Sequence, residues 1–172
     1  MTEQHNPVKD GHDLLHREDF EAPYRDRIID HRGWLTNAGR RALSLDGEWA
    51  FAHDLHFNGL RSRWFEMGPM DPADRAFPYD WDPFNSEMIP VPSTWQTVDE
   101  RLYLFEGAGW YMRSIDRAAL PEAGRHFLRI GAAAYECKVF LNGQYLGRHQ
   151  GASTPFVIEL TGHLRDGANH LF

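Results

Sequence analysis

Ten histidines, 25 Asp and Glu side chains and a single cysteine are the groups with which this 172-residue chain could do chemistry, and their spacing tests each possibility. His12 and His16 stand four apart, as zinc-binding histidines on a helix do, but the Glu that accompanies such a pair in metalloproteases does not follow His12. His53 and His56 flank a strand end without a further ligand at metal-site spacing, so no metal is expected. No Gly-x-Ser-x-Gly elbow offers a nucleophile. Cys137 lies in the alternating run Tyr135, Cys137, Val139, Leu141, where it reads as a small buried hydrophobe, and a lone cysteine excludes a disulfide within the chain. Gly143 and Gly147 follow strand turns and open no helix, so neither builds a phosphate cradle. Carboxylates are plentiful, yet glycoside hydrolysis needs two of them facing each other about 5–5.5 Å apart for retention or about 6.5–9.5 Å for inversion. Linear spacing identifies no such pair. Trp64, Tyr79, Trp81 and Trp95 offer a different chemistry, the stacking of sugars on flat rings; the commoner fate of such rings in a long loop is to anchor it.

The elements that would position these residues are short. From Leu43 onward, runs rich in β-branched and aromatic residues alternate with Gly, Pro and Asn signals, which predicts an all-β sandwich. Strands are expected near Leu45–Ala52, Met88–Val91, Gly109–Ile115, His126–Ile130, Tyr135–Leu141, Gln144–His149 and Phe156–Leu160. In the fifth of these, Tyr135, Cys137, Val139 and Leu141 share the face expected to be core, and Glu136, Lys138 and Phe140 take the other. Asn142-Gly143 supplies two residues tolerant of positive φ, a strong hairpin signal, so the fifth and sixth strands should pair antiparallel. No helical stripe of ten or more residues separates the strands, which excludes a doubly wound sheet. Between Ala52 and Met88 runs a long irregular segment broken by Gly59, Pro69, Pro72, Pro78 and Pro83 and studded with Trp64, Phe65, Phe77, Tyr79, Trp81 and Phe84. Residues 1–42 form an irregular polar leader, within which Tyr24 to Ile29 and Gly33 to Leu35 are apolar enough to dock.

Charge and hydropathy narrow the function classes. The formal net charge is −7, with only two lysines, Lys9 and Lys138, far apart; this argues against nucleic acid as a partner. No run has the apolar length of a membrane helix, and the opening residues lack a signal peptide's basic and apolar regions, so a cytoplasmic location is expected.

Five blocks carry a family resemblance. Leu45-Asp46-Gly47-Glu48-Trp49-Ala50-Phe51, Ile89-Pro90-Val91-Pro92-Ser93-Thr94-Trp95-Gln96 and Gly109-Trp110-Tyr111-Met112-Arg113 come first. Val139 to Gly151 with Thr154-Pro155-Phe156, and then Gly167-Ala168-Asn169-His170-Leu171, follow in order. Together they resemble the N-terminal sugar-binding domain of glycoside hydrolase family 2, the family of β-galactosidases, β-glucuronidases and β-mannosidases. The local physics of each block is independent of that likeness. Pro90 and Pro92 confine their segment to an extended edge, Trp110 and Tyr111 point to opposite faces, His149 is expected to hydrogen-bond backbone at a strand exit, and Asn169 reads as turn chemistry.

The resemblance implies a jelly-roll, galactose-binding-domain-like sandwich spanning residues 43–172, a terminal β-linked sugar as substrate of the whole enzyme, and catalytic glutamates on a TIM barrel. That barrel and an immunoglobulin-like domain have no counterpart in these residues, so the chain alone is expected to be inactive and to hold no cofactor. It also implies that the loop Thr97–Gly109 reaches the active-site entrance, with Tyr103, Phe105 and Glu106 as substrate-loop candidates; Trp64, Trp81 and Trp95 are the sugar-stacking candidates. Where β-galactosidases of this family tend to carry an Asn, this loop has Leu104 or Phe105, which tells against strict galactosidase specificity, and the block around Trp110-Tyr111 with the short loop before it resembles the β-glucuronidase branch more. A stand-alone carbohydrate-binding module is the alternative reading, and an assembly domain that forms a homo-oligomer through its exposed sheet is a third. The resemblance finally places the end of the chain inside its last strand, at Asn169-His170-Leu171-Phe172, which leads one to expect an exposed strand edge.

Overall fold

The computed structural model describes residues 21–29, 39–68 and 80–172. The expectations for Lys9, His12, His16, Gly33 to Leu35, Pro69, Pro72, Phe77, Pro78 and Tyr79 lie outside the described residues.

Among the described residues eight strands form: β1 (Gly47–Asp54), β2 (Met88–Val91), β3 (Ala108–Asp116), β4 (Phe127–Ile130), β5 (Glu136–Leu141), β6 (Gln144–Gln150), β7 (Phe156–Glu159) and β8 (Ala168–Leu171). Six make one antiparallel sheet in the order β2-β1-β3-β8-β5-β6, and β4 pairs with β7 in a second. This is the expected all-β sandwich, with sheets of unequal size. β2 takes the edge position, as its Pro90, which has no N–H to donate, requires.

The large sheet carries apolar side chains on both faces. On one, Ala50, Trp110, Met112, Phe140 and Phe172 meet Leu60, Trp64, Phe65, Met67 and Trp81 from the segment between β1 and β2. On the other, Ile115, Val139, Leu141 and Leu171 meet Leu128, Phe156 and Leu160. A third cluster joins Phe51, Ile89 and Leu102. The one-sided reading of β5 is thereby corrected: Val139, Phe140 and Leu141 are all buried, because the aromatic segment covers the face given to Phe140.

Two turns fix the register. Asn142 and Gly143 take φ values of 53° and 82°, so the β5–β6 hairpin closes tightly with Leu141 opposite Gln144. Asn169, read from sequence as turn chemistry, instead lies within β8 and is fully buried. Its side chain nonetheless builds the turn before it, since Nδ2 donates to Arg165 O (2.9 Å) and Gly167 O (3.1 Å) while Oδ1 accepts from Arg165 N (2.7 Å). Asn142 Nδ2 donates to the same Oδ1 (2.8 Å), which ties the hairpin to β8.

The stretch Tyr24 to Ile29 docks along β6. Ile29 N–H donates to Arg148 O (2.8 Å) and Arg148 N–H to Arg27 O (2.9 Å), while the Tyr24 ring packs edge-on against Phe65, Phe140 and Tyr145.

A short helix, α1 (Asn58–Arg61), presses so closely on the sheet that a Cβ on Gly59 would lie 2.3 Å from the Trp110 indole. Gly59→Ala is therefore expected to destabilise the domain by roughly 1–3 kcal/mol, measured by chemical denaturation. The small sheet is clasped at its end by Arg125, whose Nε and Nη2 lie 2.9 and 2.6 Å from the two Glu159 oxygens; with the Thr161 hydroxyl, this holds the Glu159 carboxyl down to about 2. A carboxyl depressed in the folded state contributes stability above the ordinary value of 4.5 and loses it as pH falls toward about 2. Because the pair is exposed the effect is small, and Glu159→Gln should lower the neutral plateau slightly and flatten the acid limb of the stability profile between those limits, read by denaturant titration across pH.

Candidate functional site

The six aromatic and loop residues singled out in the sequence fall into two groups on opposite faces of the large sheet. Trp64 and Trp81 belong to the core cluster beneath the segment between β1 and β2, with 4% and 8% of their surfaces exposed. Trp64 Nε1 donates to Asp80 Oδ1 (2.7 Å) and Trp81 Nε1 to Ser86 Oγ (2.9 Å). Ser86 Oγ in turn donates to Phe51 O (3.0 Å), fastening the segment to β1. Trp64 packs on Trp81 and Trp110 at centroid distances of 5.2 and 5.6 Å, so neither indole offers an open face for a sugar. These rings anchor the segment.

What orders that segment is a residue the sequence reading passed over. Asp54, at the end of β1 and 3% exposed, accepts from the backbone N–H of Asn58 (2.8 Å), the N–H of Gly59 (2.8 Å) and Trp110 Nε1 (3.0 Å). One carboxylate thus caps α1, holds it against the sheet and fixes the central indole. An Asp at a strand end just before Asn58-Gly59 was the available signal.

The second group lies on the stretch between β2 and β3. Trp95 opens the short helix α2 (Trp95–Val98) and stacks on Phe51 at 6.2 Å; its Nε1 is buried and has no hydrogen-bond partner among the described residues. Asp99 then caps a single 3₁₀ turn by accepting from Arg101 N (2.9 Å), and its carboxylate also receives the Arg101 guanidinium (2.6 Å). Those hydrogen bonds hold the Asp99 carboxyl below its usual range. Leu102 is buried against Phe51 and Ile89, and Phe105 packs on Trp95 (5.9 Å) and His53 (5.5 Å). Between these two anchors the chain bulges outward: Tyr103 is 71% and Leu104 86% exposed, and Glu106 is exposed beside them.

The cavity under this loop, lined by Phe51, His53, Glu87, Ile89, Trp95, Val98, Asp99 and Leu102, measures about 40 Å³. Ligand pockets run from roughly 300 Å³ upward, so this one is too small to enclose a monosaccharide. The loop is therefore a rigid-based protrusion with an apolar tip, able to form part of a larger site's wall but not to enclose a sugar alone.

Several histidines have structural partners. His53 packs on Phe105, His126 Nε2 lies 3.0 Å from Pro121 O, His163 Nδ1 lies 2.7 Å from Gln144 Oε1, and His170 Nδ1 lies 3.0 Å from Ser114 Oγ. His149 is buried and stacks on Phe156 at 4.3 Å, and its Nε2 has no partner among the described residues. The ring is thus held by stacking, and the backbone hydrogen bond expected of it is not made through that atom.

The six-stranded sheet, the two-stranded sheet packed against it and the projecting β2–β3 loop together make a β-sandwich. The chain belongs to glycosyl hydrolases family 2, whose sugar binding domain matches residues 42–172. It is similar to the β-glucuronidase of Felis catus, 30% identical over 139 residues that make up 74% of this chain and 19% of the relative. It is also similar to the β-galactosidase of Thermoanaerobacter pseudethanolicus, 23% identical over 132 residues, 75% of this chain and 16% of the relative. Among solved structures, a β-glucuronidase from an uncultured Clostridium sp. superposes with a TM-score of 0.63 at 28% identity, covering 80% of this chain and 22% of that one. The chain spans about a fifth of the length of the relatives it matches.

The contrast between anchored and projecting side chains is directly testable. Trp81→Ala should cost roughly 3–5 kcal/mol of unfolding free energy, whereas Leu104→Ala should stay within about 0.5 kcal/mol of the parent, both by denaturant titration.

Proposed function

We propose that this chain is the N-terminal, non-catalytic domain of a retaining exo-β-glycosidase, of the β-glucuronidase or β-galactosidase type, and that its loop Thr97–Gly109 forms part of the active-site mouth. The observation that carries the reading is the match of residues 42–172 to the family's sugar binding domain in relatives about five times as long. In this account the catalytic carboxylates stand on a barrel outside these residues, and the projecting Tyr103, Leu104 and Glu106 meet the substrate or its aglycone there. An apolar tip carrying Tyr103 and Leu104 suits an aglycone with flat or apolar surface, and the absence of Asn from the tip favours a glucuronide over a galactoside as substrate.

The reading leaves little for the domain to do by itself, since Trp64 and Trp81 are consumed by the core and the cavity under the loop is small. Incubated with the nitrophenyl β-glycosides of glucuronate, galactose, mannose and glucose, the 172-residue chain is expected to release no nitrophenol, and tryptophan fluorescence should show no saturable response to the free sugars. Turnover would place catalytic carboxylates within this chain and contradict the proposal. Saturable binding without turnover would favour the stand-alone carbohydrate-binding module.

A further inference from the structure

Trp64 and Trp81 are absorbed by the aromatic core, but the surroundings of Trp95 define a site of another kind. Three sides of its indole are taken. Phe51 stacks on it at 6.2 Å, Phe105 packs edge-on at 5.9 Å, and its Cε3–Cζ3 edge lies so close to β3 that a Cβ on Gly109 would stand 2.7 Å from Cζ3. Nε1 sits on the opposite edge of the ring, and neither Gly109 nor Phe105 lines the cavity of about 40 Å³ beneath the loop. The Nε1 edge therefore turns toward that cavity, with Nε1 buried and without a hydrogen-bond partner among the described residues. A buried donor left unpaired carries its full desolvation cost, so a group that accepts from it is favoured there.

The facing polar groups limit what that group can be. Asp99 stands one helical turn after Trp95, and its N–H donates to Trp95 O (3.0 Å). The Asp99 carboxylate accepts from Arg101 N–H (2.9 Å), Nε (3.0 Å) and Nη2 (2.6 Å). A carboxylate offers about four lone-pair sites, which leaves room for a further donor. The Arg101 hydrogen bonds hold the Asp99 carboxyl below its usual range, so it faces the cavity as an ionised acceptor, and Glu87 brings a second carboxylate to the same wall. These two carboxylates repel a carboxylate or phosphate ligand. An ammonium group or a metal cation has no lone pair with which to accept from Nε1. A hydroxyl does both jobs in the smallest volume, accepting from the indole and donating to Asp99.

Size agrees with this chemistry. A water molecule needs about 10–15 Å³ of such space and roughly two to four polar partners. A cavity of about 40 Å³ takes one hydroxyl and leaves room for a methyl or methylene group against the apolar wall of Phe51, Ile89, Val98 and Leu102.

We propose that the cavity beneath the β2–β3 loop is a hydroxyl site, in which one hydroxyl group, carried by water or by an alcohol the size of methanol or ethanol, bridges Trp95 Nε1 and the Asp99 carboxylate. The bridge ties the first residue of α2 to the cap of the 3₁₀ turn that follows, Glu100–Leu102, and so stiffens the base of the projecting loop. The site is independent of which sugar the family's activity would select for this chain.

Nuclear magnetic resonance of the 172-residue chain with ¹⁵N-labelled tryptophan tests it, the Trp95 indole being assigned through its contacts with Phe51 and Gly109. A rotating-frame Overhauser cross-peak of the sign that marks direct contact, rather than proton exchange, is sought between that indole proton and water. The same resonance is then followed in methanol, ethanol, sodium acetate and methylammonium chloride. A water cross-peak that the alcohols leave in place assigns the hydroxyl to water. A saturating shift confined to this indole, with loss of the water cross-peak, assigns it to the alcohol. In either case Asp99→Ala should lose the contact, whereas Arg101→Ala, which disturbs the same turn but keeps the carboxylate, should retain it. Neither a water cross-peak nor an alcohol response would overturn the proposal. So would a response to acetate or methylammonium as large as that to the alcohols, or a contact that persists unchanged in Asp99→Ala.

Discussion

The arrangement depends most on the carboxylate of Asp54. It sits at the end of β1, nearly sealed from solvent, and receives three N–H donors from α1 and from the indole of Trp110. A buried acceptor of this kind is tolerated only when its partners are in place, because each unpaired group would carry its full desolvation cost. Those partners set the closeness of α1 to the sheet, and that closeness is why Gly59 must be a glycine. Once Trp110 is fixed, Trp64 and Phe65 have a surface to pack on, and Phe140 of β5 finds cover on a face that would otherwise meet water.

This packing has a functional consequence. Aromatic rings in a long segment of a carbohydrate-active protein invite a binding reading, but here they form one wall of the core. The part that projects from the domain instead is the loop between β2 and β3. Its base is clamped by Leu102 and Phe105 and by the Asp99–Arg101 pair, while its tip carries Tyr103 and Leu104 outward. A firm base with an exposed apolar tip is what a neighbouring site can use as a wall, since little ordering entropy remains to be lost on contact.

Much of this was legible in the sequence because strand alternation and turn chemistry act locally. Seven strands and the Asn142-Gly143 hairpin follow from short windows, and Pro90 marks β2 as an edge. β8 was legible through the family resemblance alone: Ala168-Asn169-His170-Leu171 is too polar to alternate clearly, and its Asn169 is buried because the side chain closes a turn through three hydrogen bonds and takes a fourth from Asn142. The fates of Trp64, Trp81 and Phe140 were not legible, because each depends on a partner far along the chain. No window of sequence tells a stacking platform from an anchor when both are aromatics in an irregular segment. Asp54 escaped notice for a related reason, since its cap on Asn58-Gly59 is local but its bond to Trp110 spans 56 residues.

The most direct test of this account is the unfolding free energy of Asp54→Asn, followed together with the near-ultraviolet circular dichroism of the tryptophans. The substitution keeps the shape but replaces an acceptor oxygen by an NH₂ group that faces N–H donors. The account requires a loss of roughly 2–4 kcal/mol and a weakened tryptophan signal, as the aromatic layer loosens from the sheet. A variant within about 0.5 kcal/mol of the parent with an unchanged tryptophan signal would show that the aromatic layer is held without Asp54 and would contradict the account.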